Sequence, residues 1–346
     1  MIKYRFYNDY SEGCHPKILA ELSHANLIQE SGYGNDSHSI IAKKSIQDII
    51  SDISLDIHFL PGGTQTNLIC LSSILKPYES VIAAETGHIV VHEAGAIEST
   101  GHKINTVKSE DGKLYPELIK TILDQHTDEH MVKPKVVFIS NATEVGTFYT
   151  KSELEEISKF CKKHDLYLYM DGARLGSGLM AEGSNLVLDD IAKLTDMFYI
   201  GGTKNGALLG EAVIISNDIL KKDFRYNIKQ KGALLAKGSL LGIQFKVLFT
   251  ENLYFDLANH ANQMAKQLRL GLKDLGCHFL SCSTTNQIFP IFSNTVISEI
   301  EKMYGFYPWQ KIDESNYAIR LVTSWATDKK MVYEFLKDVK AVLSKN

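Results

Sequence analysis

The stretch Leu166-Tyr-Leu-Tyr-Met-Asp-Gly-Ala-Arg174 joins a short apolar run to a carboxylate, a glycine and an arginine. A second apolar run, Met197–Ile200, leads into Gly201-Gly-Thr-Lys-Asn-Gly206, so that Lys204 follows Asp171 after 33 residues. That spacing fits two parallel strands joined by one helix. Because the carboxyl ends of parallel strands meet at one edge of a sheet, we expect Asp171 and Lys204 to face the same cavity.

Short apolar runs alternate with helical patterns from about residue 55 to residue 250. Near-continuous apolar runs are typical of parallel strands that are covered on both faces. The predicted strands are Ile57–Leu60, Ser80–Ala84, Lys135–Ser140, Leu166–Met170, Met197–Ile200 and Glu211–Ile215, and the clearest helices are Thr64–Leu75, Pro116–Gln125 and Lys151–His164. This alternation predicts an α/β domain built around a mainly parallel sheet.

The two ends of the chain have a different pattern. The predicted elements there are helices at Pro16–Asn26, Ser37–Ile53, Leu235–Leu275 and Lys329–Leu343, and apolar runs at Ile288–Phe292 and Tyr317–Val322. The C-terminal elements predict a smaller α+β domain over residues 256–346. The N-terminal segment and the large α/β domain then occupy residues 1–255.

The composition is that of an ordinary globular protein. Of 346 residues, 44% are hydrophobic and 23% are charged, and 37 basic against 41 acidic side chains give a net charge of −4. A weakly acidic chain without a basic block gives no electrostatic reason to expect nucleic acid or an anionic membrane as a partner. No apolar segment is long enough for a membrane span, and no signal peptide pattern occurs at the N-terminus. Five scattered cysteines without a CxxC motif favour reduced thiols in a cytoplasmic protein.

A glycine-rich turn, Pro61-Gly-Gly-Thr-Gln-Thr-Asn67, follows the first predicted strand and opens a helix. Glycines let the backbone approach a ligand, and the N–H groups at a helix start favour an anion. We therefore consider this turn as a phosphate site, with Thr64 and Gln65 as possible side-chain donors, although many strand-to-helix turns of this kind hold no ligand. The spacing is neither that of a P-loop nor that of a dinucleotide fingerprint.

Three side chains at the predicted sheet edge could do chemistry. Asp171 could keep a ring nitrogen protonated, and Arg174 could form a bidentate pair with a carboxylate. Lys204, if it is partly desolvated and near other cations, would have a lowered pKa and could act as an amine nucleophile. The alternatives are a surface ion pair in an Asp-Gly turn and a solvated loop lysine.

Two histidines lie four residues apart in Gly87-His-Ile-Val-Val-His-Glu-Ala-Gly-Ala96. A zinc site would need a third ligand and usually a glutamate between the histidines, whereas Glu93 lies outside the pair. We therefore predict no metal. A flat imidazole over an aromatic cofactor accounts better for His88, and the whole set then matches the needs of a pyridine aldehyde phosphate.

These residues, in this order, resemble the fold-type I enzymes that use pyridoxal 5′-phosphate (PLP), and specifically the L-threonine aldolase family with its β-eliminating lyase relatives. The motifs that carry the resemblance are Tyr33-Gly-Asn-Asp36, Pro61-Gly-Gly-Thr64, His88 with Glu93-Ala-Gly-Ala96, Asp171-Gly-Ala-Arg174, Lys204 and Ile319-Arg-Leu-Val322. The resemblance implies an aspartate aminotransferase-like large domain. It also implies that Lys204 holds the cofactor covalently, that Asp171 pairs with its ring nitrogen and that His88 stacks on the ring.

The resemblance implies roles for further residues. Gly63 and Thr64 would hold the phosphate, and Arg174 and Arg320 would bind the substrate carboxylate, with Arg174 also near the cofactor. His88 or His130 would act near the substrate hydroxyl, although a surface position for His130 fits its surroundings equally well.

The chain departs from the family pattern at two places. Asn8 stands where the family usually has a serine that helps to hold the carboxylate, and Lys237 stands where many members have an arginine that reaches a neighbouring subunit's phosphate. Tyr33 and Lys237 would complete the site of a neighbouring subunit, which implies a homodimer or homotetramer with shared active sites.

The resemblance favours one reaction. It is the cleavage of an L-β-hydroxy-α-amino acid (threonine, allo-threonine or phenylserine) to glycine and an aldehyde. The residues alone leave open another PLP reaction, such as β-elimination or transamination, and a catalytically silent binding protein.

Overall fold

The computed structural model describes residues 2–52 and 54–345. The strands are β1 (Tyr4–Arg5), β2 (Asp56–Leu60), β3 (Glu79–Ala84), β4 (Ile104–Val107), β5 (Lys133–Ser140), β6 (Tyr167–Asp171), β7 (Met197–Gly201), β8 (Glu211–Ile215), β9 (His278–Phe279), β10 (Gln287–Ile288), β11 (Pro290–Ser293), β12 (Tyr304–Gly305), β13 (Tyr307–Lys311) and β14 (Asn316–Val322). The α-helices are α1 (Pro16–Ala25), α2 (Ser37–Ile50), α3 (Gly63–Ile74), α4 (His88–Val91), α5 (Pro116–Gln125), α6 (Lys151–Lys163), α7 (Leu175–Leu179), α8 (Leu188–Leu194), α9 (Asp218–Lys221), α10 (Phe224–Gln230), α11 (Ser239–Leu248), α12 (Leu253–Asp274), α13 (Asn294–Ile300) and α14 (Lys329–Leu343).

A seven-stranded sheet forms the centre of the large domain. Its strand order is β2-β8-β7-β6-β5-β3-β4, and β8 alone runs antiparallel to its neighbours. The predicted α/β domain with a mainly parallel sheet is therefore confirmed. We did not predict β4, which is a four-residue edge strand whose buried and exposed residues alternate.

Helices cover both faces of this sheet, because the strands are apolar on both sides. One buried cluster contains Ile82, Val137 and Ile214, and the other contains Val81, Val136 and Val213, so consecutive residues of one strand enter opposite layers. This is the arrangement that continuous apolar runs predict.

The C-terminal part has its own sheet and core. Strands β10, β14, β11 and β9 pair in that order, and β13 pairs with the other edge of β14. The first strand of the N-terminal segment packs here, since β1 pairs in parallel with β12 and the buried ring of Phe6 lies 5.2 Å from that of Phe335. The rest of that segment packs on the large domain, where Ile18 of α1 and Ile46 of α2 belong to the core.

The helix α12 links the two cores. Tyr254 and Leu257 belong to the core of the large sheet, whereas Met264 and Leu268 belong to the C-terminal core. We propose that the domain boundary lies within this helix, close to residue 255.

Two helix predictions differ from the structure in length. The pattern over Leu235–Leu275 is split into α11 and α12, because Glu251 and Asn252 adopt positive φ angles of 51° and 65° that end the helical path. The helix predicted over Ser37–Ile53 ends at Ile50, where Ser51 is left-handed, and Ile53 lies outside the described residues. Across residues 2–52 and 54–345, no helix combines the length and the apolar character that a bilayer crossing needs.

Candidate active site

A cavity of ≈ 700 Å³ opens where the carboxyl ends of the parallel strands meet the C-terminal domain. Its walls come from the loops after β3, β5, β6 and β7 and from strands β13 and β14. The lining residues are Tyr10, Glu85, Thr86, His88, Val91, His92, Glu144, Arg174, Lys204, Tyr307, Pro308, Trp309 and Arg320. Four of the side chains that we singled out from the sequence, those of His88, Arg174, Lys204 and Arg320, therefore meet in one space.

Lys204 enters this cavity from the turn after β7. The turn contains glycines because there is no room for side chains. A Cβ on Gly201 would collide with the carbonyl oxygen of Ala173, and a Cβ on Gly202 would lie 2.8 Å from the carbonyl oxygen of Gly210. Burial lowers the pKa of Lys204, and the positive charge of Arg174 lowers it further. A lysine with a lowered pKa has more of its amine in the neutral form, which is the nucleophile that a cofactor aldehyde requires.

The Asp171 carboxylate is fixed on all sides at the end of β6. It is 4% exposed, and Oδ1 accepts hydrogen bonds from the Tyr199 hydroxyl (2.6 Å) and the Ala173 N–H (2.9 Å). Oδ2 accepts a hydrogen bond from the Asn67 amide (3.0 Å). These donors orient a buried anion, and sequence reasoning did not identify Asn67 or Tyr199.

His88 is held by a buried carboxylate. Its Nδ1 lies 2.7 Å from Oε1 of Glu93, whose side chain is fully buried and also accepts a hydrogen bond from Asn67 (2.7 Å). Burial lowers the pKa of His88, but the bond to Glu93 and the charges of Glu144 and Asp171 outweigh burial and raise it. Glu93 therefore orients the ring and favours its protonated form.

The helix α3 begins beside this group. Its first backbone hydrogen bond runs from the Thr66 N–H to the Gly62 carbonyl (2.9 Å), so the N–H groups of Gly63 and Thr64 precede the bonded turns. A Cβ on Gly63 would lie 3.4 Å from the Tyr199 hydroxyl, which itself binds Asp171. The N–H groups that we predict to bind the phosphate are therefore next to Asp171, which we predict to pair with the ring nitrogen.

The two arginines have different surroundings. Arg174 donates from Nε (2.8 Å) and Nη2 (3.1 Å) to Asp9, and Asn286 donates to the same carboxylate (2.9 Å). The bidentate face that we assigned to a substrate carboxylate is thus occupied by Asp9, which sequence reasoning missed although it adjoins Asn8. Arg320 is different, because its Nε is buried and has no hydrogen-bond partner in the described part of the chain.

Arg320 is held instead by aromatic rings. Its guanidinium carbon lies 4.7 Å from the ring centroid of Trp309 and 5.6 Å from that of Tyr307. Stacking of this kind positions a guanidinium without using its N–H groups. Arg320 is therefore the better candidate for binding a substrate carboxylate.

Besides Gly63, Thr64 and Asp171, four more predicted residues do not line the cavity of their own chain. Asn8 uses its Oδ1 to accept hydrogen bonds from the turn that follows it, at 3.0 Å each. Tyr33 lies in a left-handed turn with φ 60°, and it and Lys237 are exposed. His130 lies in an exposed turn before the amino end of β5, and the eight residues of that strand put it about 25 Å from the cavity edge. The structure thus places His130 with solvent and away from His88.

The donor set fits PLP. Asp171 offers a buried carboxylate for a ring nitrogen, His88 offers a ring face, and the start of α3 offers N–H groups for a phosphate. Lys204 offers an amine for an aldehyde. The Tyr199 hydroxyl donates a hydrogen bond to Asp171 and lies beside Gly63, so it stands between the carboxylate and the N–H groups for the phosphate.

Comparisons with known proteins agree with this geometry. The beta-eliminating lyase family matches residues 11–295. A low specificity L-threonine aldolase from a Pseudomonas species is 34% identical over 349 residues, and that from Pseudomonas aeruginosa is 32% identical over 343 residues, with 98% of each chain covered in both cases.

Solved structures give the same result. The threonine aldolase of Leishmania major is 50% identical with a TM-score of 0.97, covering 98% of this chain and 99% of that one. An aspartate aminotransferase of Thermus thermophilus, 13% identical with a TM-score of 0.73 and covering 99% of this chain and 91% of that one, shares the fold alone. The predicted fold type is confirmed, and PLP is the cofactor of enzymes of this family. The chain therefore belongs to the beta-eliminating lyase family, in the group of the low-specificity L-threonine aldolases.

Proposed function

We propose that this protein is a PLP-dependent aldehyde-lyase that cleaves L-β-hydroxy-α-amino acids, such as threonine, allo-threonine or phenylserine, to glycine and an aldehyde. The observation that carries the proposal is the meeting of Lys204, the Glu93-bound His88 and the free guanidinium of Arg320 in one cavity, with Asp171 fixed at its edge. The aldolase names of the relatives favour this reaction over β-elimination and transamination.

Bound PLP supplies an electron-poor ring that accepts electrons when a bond at the substrate's α-carbon breaks. Asp171 keeps a negative charge at the ring nitrogen, where Tyr199 and Asn67 hold its oxygens in place. Arg320 binds the carboxylate of the substrate. With the carboxylate fixed there, the orientation of the substrate would be restricted, which would favour cleavage between the α- and β-carbons over the other bonds of the α-carbon.

The β-hydroxyl proton must leave as that bond breaks, and a neutral imidazole is a suitable base. His88 is held toward its protonated form by Glu93, whereas burial lowers the pKa of His92. The two rings lie 5.5 Å apart and both line the cavity. His92 is therefore better suited than His88 to accept the proton, and it replaces His130 as the second histidine within one chain.

The proposal also concerns how the subunits assemble. Tyr33 and Lys237 lie on one exposed surface, because the Tyr33 N–H donates to the carbonyl of Ala236 (3.1 Å). They do not reach their own cavity, so we propose a homodimer or homotetramer in which this surface adjoins the neighbour's site. The five free cysteines support a reducing, cytoplasmic location.

The test supplies purified enzyme with threonine, allo-threonine or phenylserine in the absence of a keto acid. We expect glycine and the matching aldehyde over many turnovers, and none from a Lys204→Ala variant. One stoichiometric turnover with release of a keto acid would identify an aminotransferase instead.

A further inference from the structure

A second buried carboxyl group lies behind Lys204. Glu211 is the first residue of β8 and pairs directly with Gly201 of β7. It is 3% exposed and does not line the cavity. Its Oε2 accepts a hydrogen bond from the Gly202 N–H (3.1 Å), and its Oε1 accepts one from the Thr203 hydroxyl (2.7 Å). The two residues that precede Lys204 are therefore both bound to this side chain.

The backbone closes the same turn without Glu211. The Gly202 N–H donates to the Gly210 carbonyl (3.0 Å), and so does the Thr203 N–H (3.1 Å). The Gly210 N–H donates to the Thr203 hydroxyl oxygen (2.9 Å). A neutral side chain would suffice to fill the remaining space, whereas burying an ionisable group is costly. An ionisable side chain at this buried position therefore calls for a reason beyond closing the turn.

The electrostatic surroundings connect Glu211 to Lys204. Burial raises the pKa of Glu211 to about 8, against the opposing effects of the Thr203 hydroxyl and of the Lys204 charge. The charge of Asp171 also raises the pKa of Glu211. The charge of Glu211 in turn acts on the buried hydroxyls of Tyr199 and Tyr254. Burial thus favours the neutral form of the Glu211 carboxyl more than it would in an exposed glutamate.

We propose that Glu211 is a positioning residue for Lys204, which fixes the turn that presents the amine and sets the proton affinity of that amine through its own charge. The inference rests on the proposed role of Lys204 as the lysine that holds PLP. While Glu211 is neutral, it adds nothing to the charges of Asp9, Glu144 and Asp171, which favour protonation of the nitrogen. Once Glu211 ionises, its charge draws a proton to that nitrogen.

The holoenzyme gives a readout that does not depend on turnover. Protonation of the nitrogen joined to PLP changes the visible absorbance, so the spectrum can be titrated from pH 6 to pH 10. In the wild-type protein we expect an inflection near pH 8 from Glu211, in addition to the transition of the nitrogen itself. In Glu211→Gln the first inflection should vanish, and the second should move down by roughly one pH unit because a nearby negative charge is lost.

The control is Glu79→Gln. Glu79 is equally buried, at 4% exposure, but it lies at the amino end of β3 and accepts a hydrogen bond from the Lys76 N–H (2.9 Å). Its spectrum should titrate like that of wild type. A wild-type titration in Glu211→Gln, or an equal change in Glu79→Gln, overturns the proposal.

A second variant covers the case in which Glu211→Gln does not fold. Thr203→Val removes a hydrogen bond that favours the ionised carboxyl, so the inflection near pH 8 should move to higher pH; an unchanged inflection overturns the proposal. Absence of any visible band in wild type would overturn the role of Lys204 together with this inference. A normal band with an unaltered titration in the variants would overturn this inference alone.

Discussion

The hydrogen bond between His88 and Glu93 makes a quantitative prediction. Replacing Glu93 by glutamine keeps the size and shape of the side chain and removes its charge. The Nδ1 of His88 would then face a neutral amide at the position where an oxygen now lies 2.7 Å away. We expect the pKa of His88 to fall, because burial lowers it and the carboxylate is the largest of the effects that raise it.

The size of the fall follows from the energy of the bond. A hydrogen bond to a charged group contributes about 1.5–3 kcal/mol, and one pKa unit corresponds to about 1.4 kcal/mol. The His88 side chain is 25% exposed, so solvent screens part of this interaction, and the lower end of the range applies. Glu144 and Asp171 stay in place and continue to favour the protonated ring. The expected fall is therefore about one pH unit.

The assay is an NMR titration of the His88 ring in the holoenzyme, with the resonance assigned from a His88→Gln variant. Glu98→Gln provides the control, since Glu98 is exposed and lies in the short 3₁₀-helix (Glu98–Thr100) that follows the same loop. A His88 pKa that differs by less than 0.3 unit between wild type and Glu93→Gln, a limit of about 0.4 kcal/mol, would refute the reasoning.

Three further predictions concern the other parts of the site. Asp171→Asn should lower turnover on the order of a thousandfold, because a neutral amide cannot hold the ring charge, while the melting temperature changes little; near-normal turnover would make Asp171 structural only. Arg320→Lys should raise the KM for the amino acid roughly tenfold or more, because an ammonium group cannot form the bidentate pair with a carboxylate; an unchanged KM would assign the carboxylate elsewhere. Mixed oligomers of Lys204→Ala and Tyr33→Ala chains should regain part of the activity that each variant lacks, and a fully active monomer on size exclusion would exclude shared sites.

Local patterns accounted for most of the fold and for the place of the site. Each of the six predicted strands of the large sheet is present within two residues of its predicted ends, because a fully covered parallel strand has to be apolar throughout. The sequence also placed Lys204 and Asp171 at one edge of the sheet, since each lies shortly after one of these apolar runs. We did not predict the short strand β4, because four residues are too few for an alternating pattern to be recognised in the sequence.

Contacts between distant parts of the chain could not be predicted in this way. Asp9 and Arg174 are 165 residues apart, and only the packing of the N-terminal segment against the C-terminal core brings them together. Asn67 is a similar case, because its amide binds both Glu93 and Asp171. Nothing in the local sequence marks an asparagine in the second turn of a helix as the link between two buried carboxyl groups.

The pair of Asp9 and Arg174 suits a division of roles between the two arginines of the cavity. Asp9 accepts hydrogen bonds from Nε and Nη2 of Arg174, so this edge of the guanidinium is not available to a substrate carboxylate. The charge of Arg174 still contributes to lowering the pKa of Lys204, because the effect of a charge extends beyond its hydrogen bonds. The guanidinium of Arg320 lies over Trp309, and its Nε has no hydrogen-bond partner among the described residues. We therefore propose that Arg174 acts on Lys204 through its charge and that Arg320 is the main group that binds the substrate carboxylate.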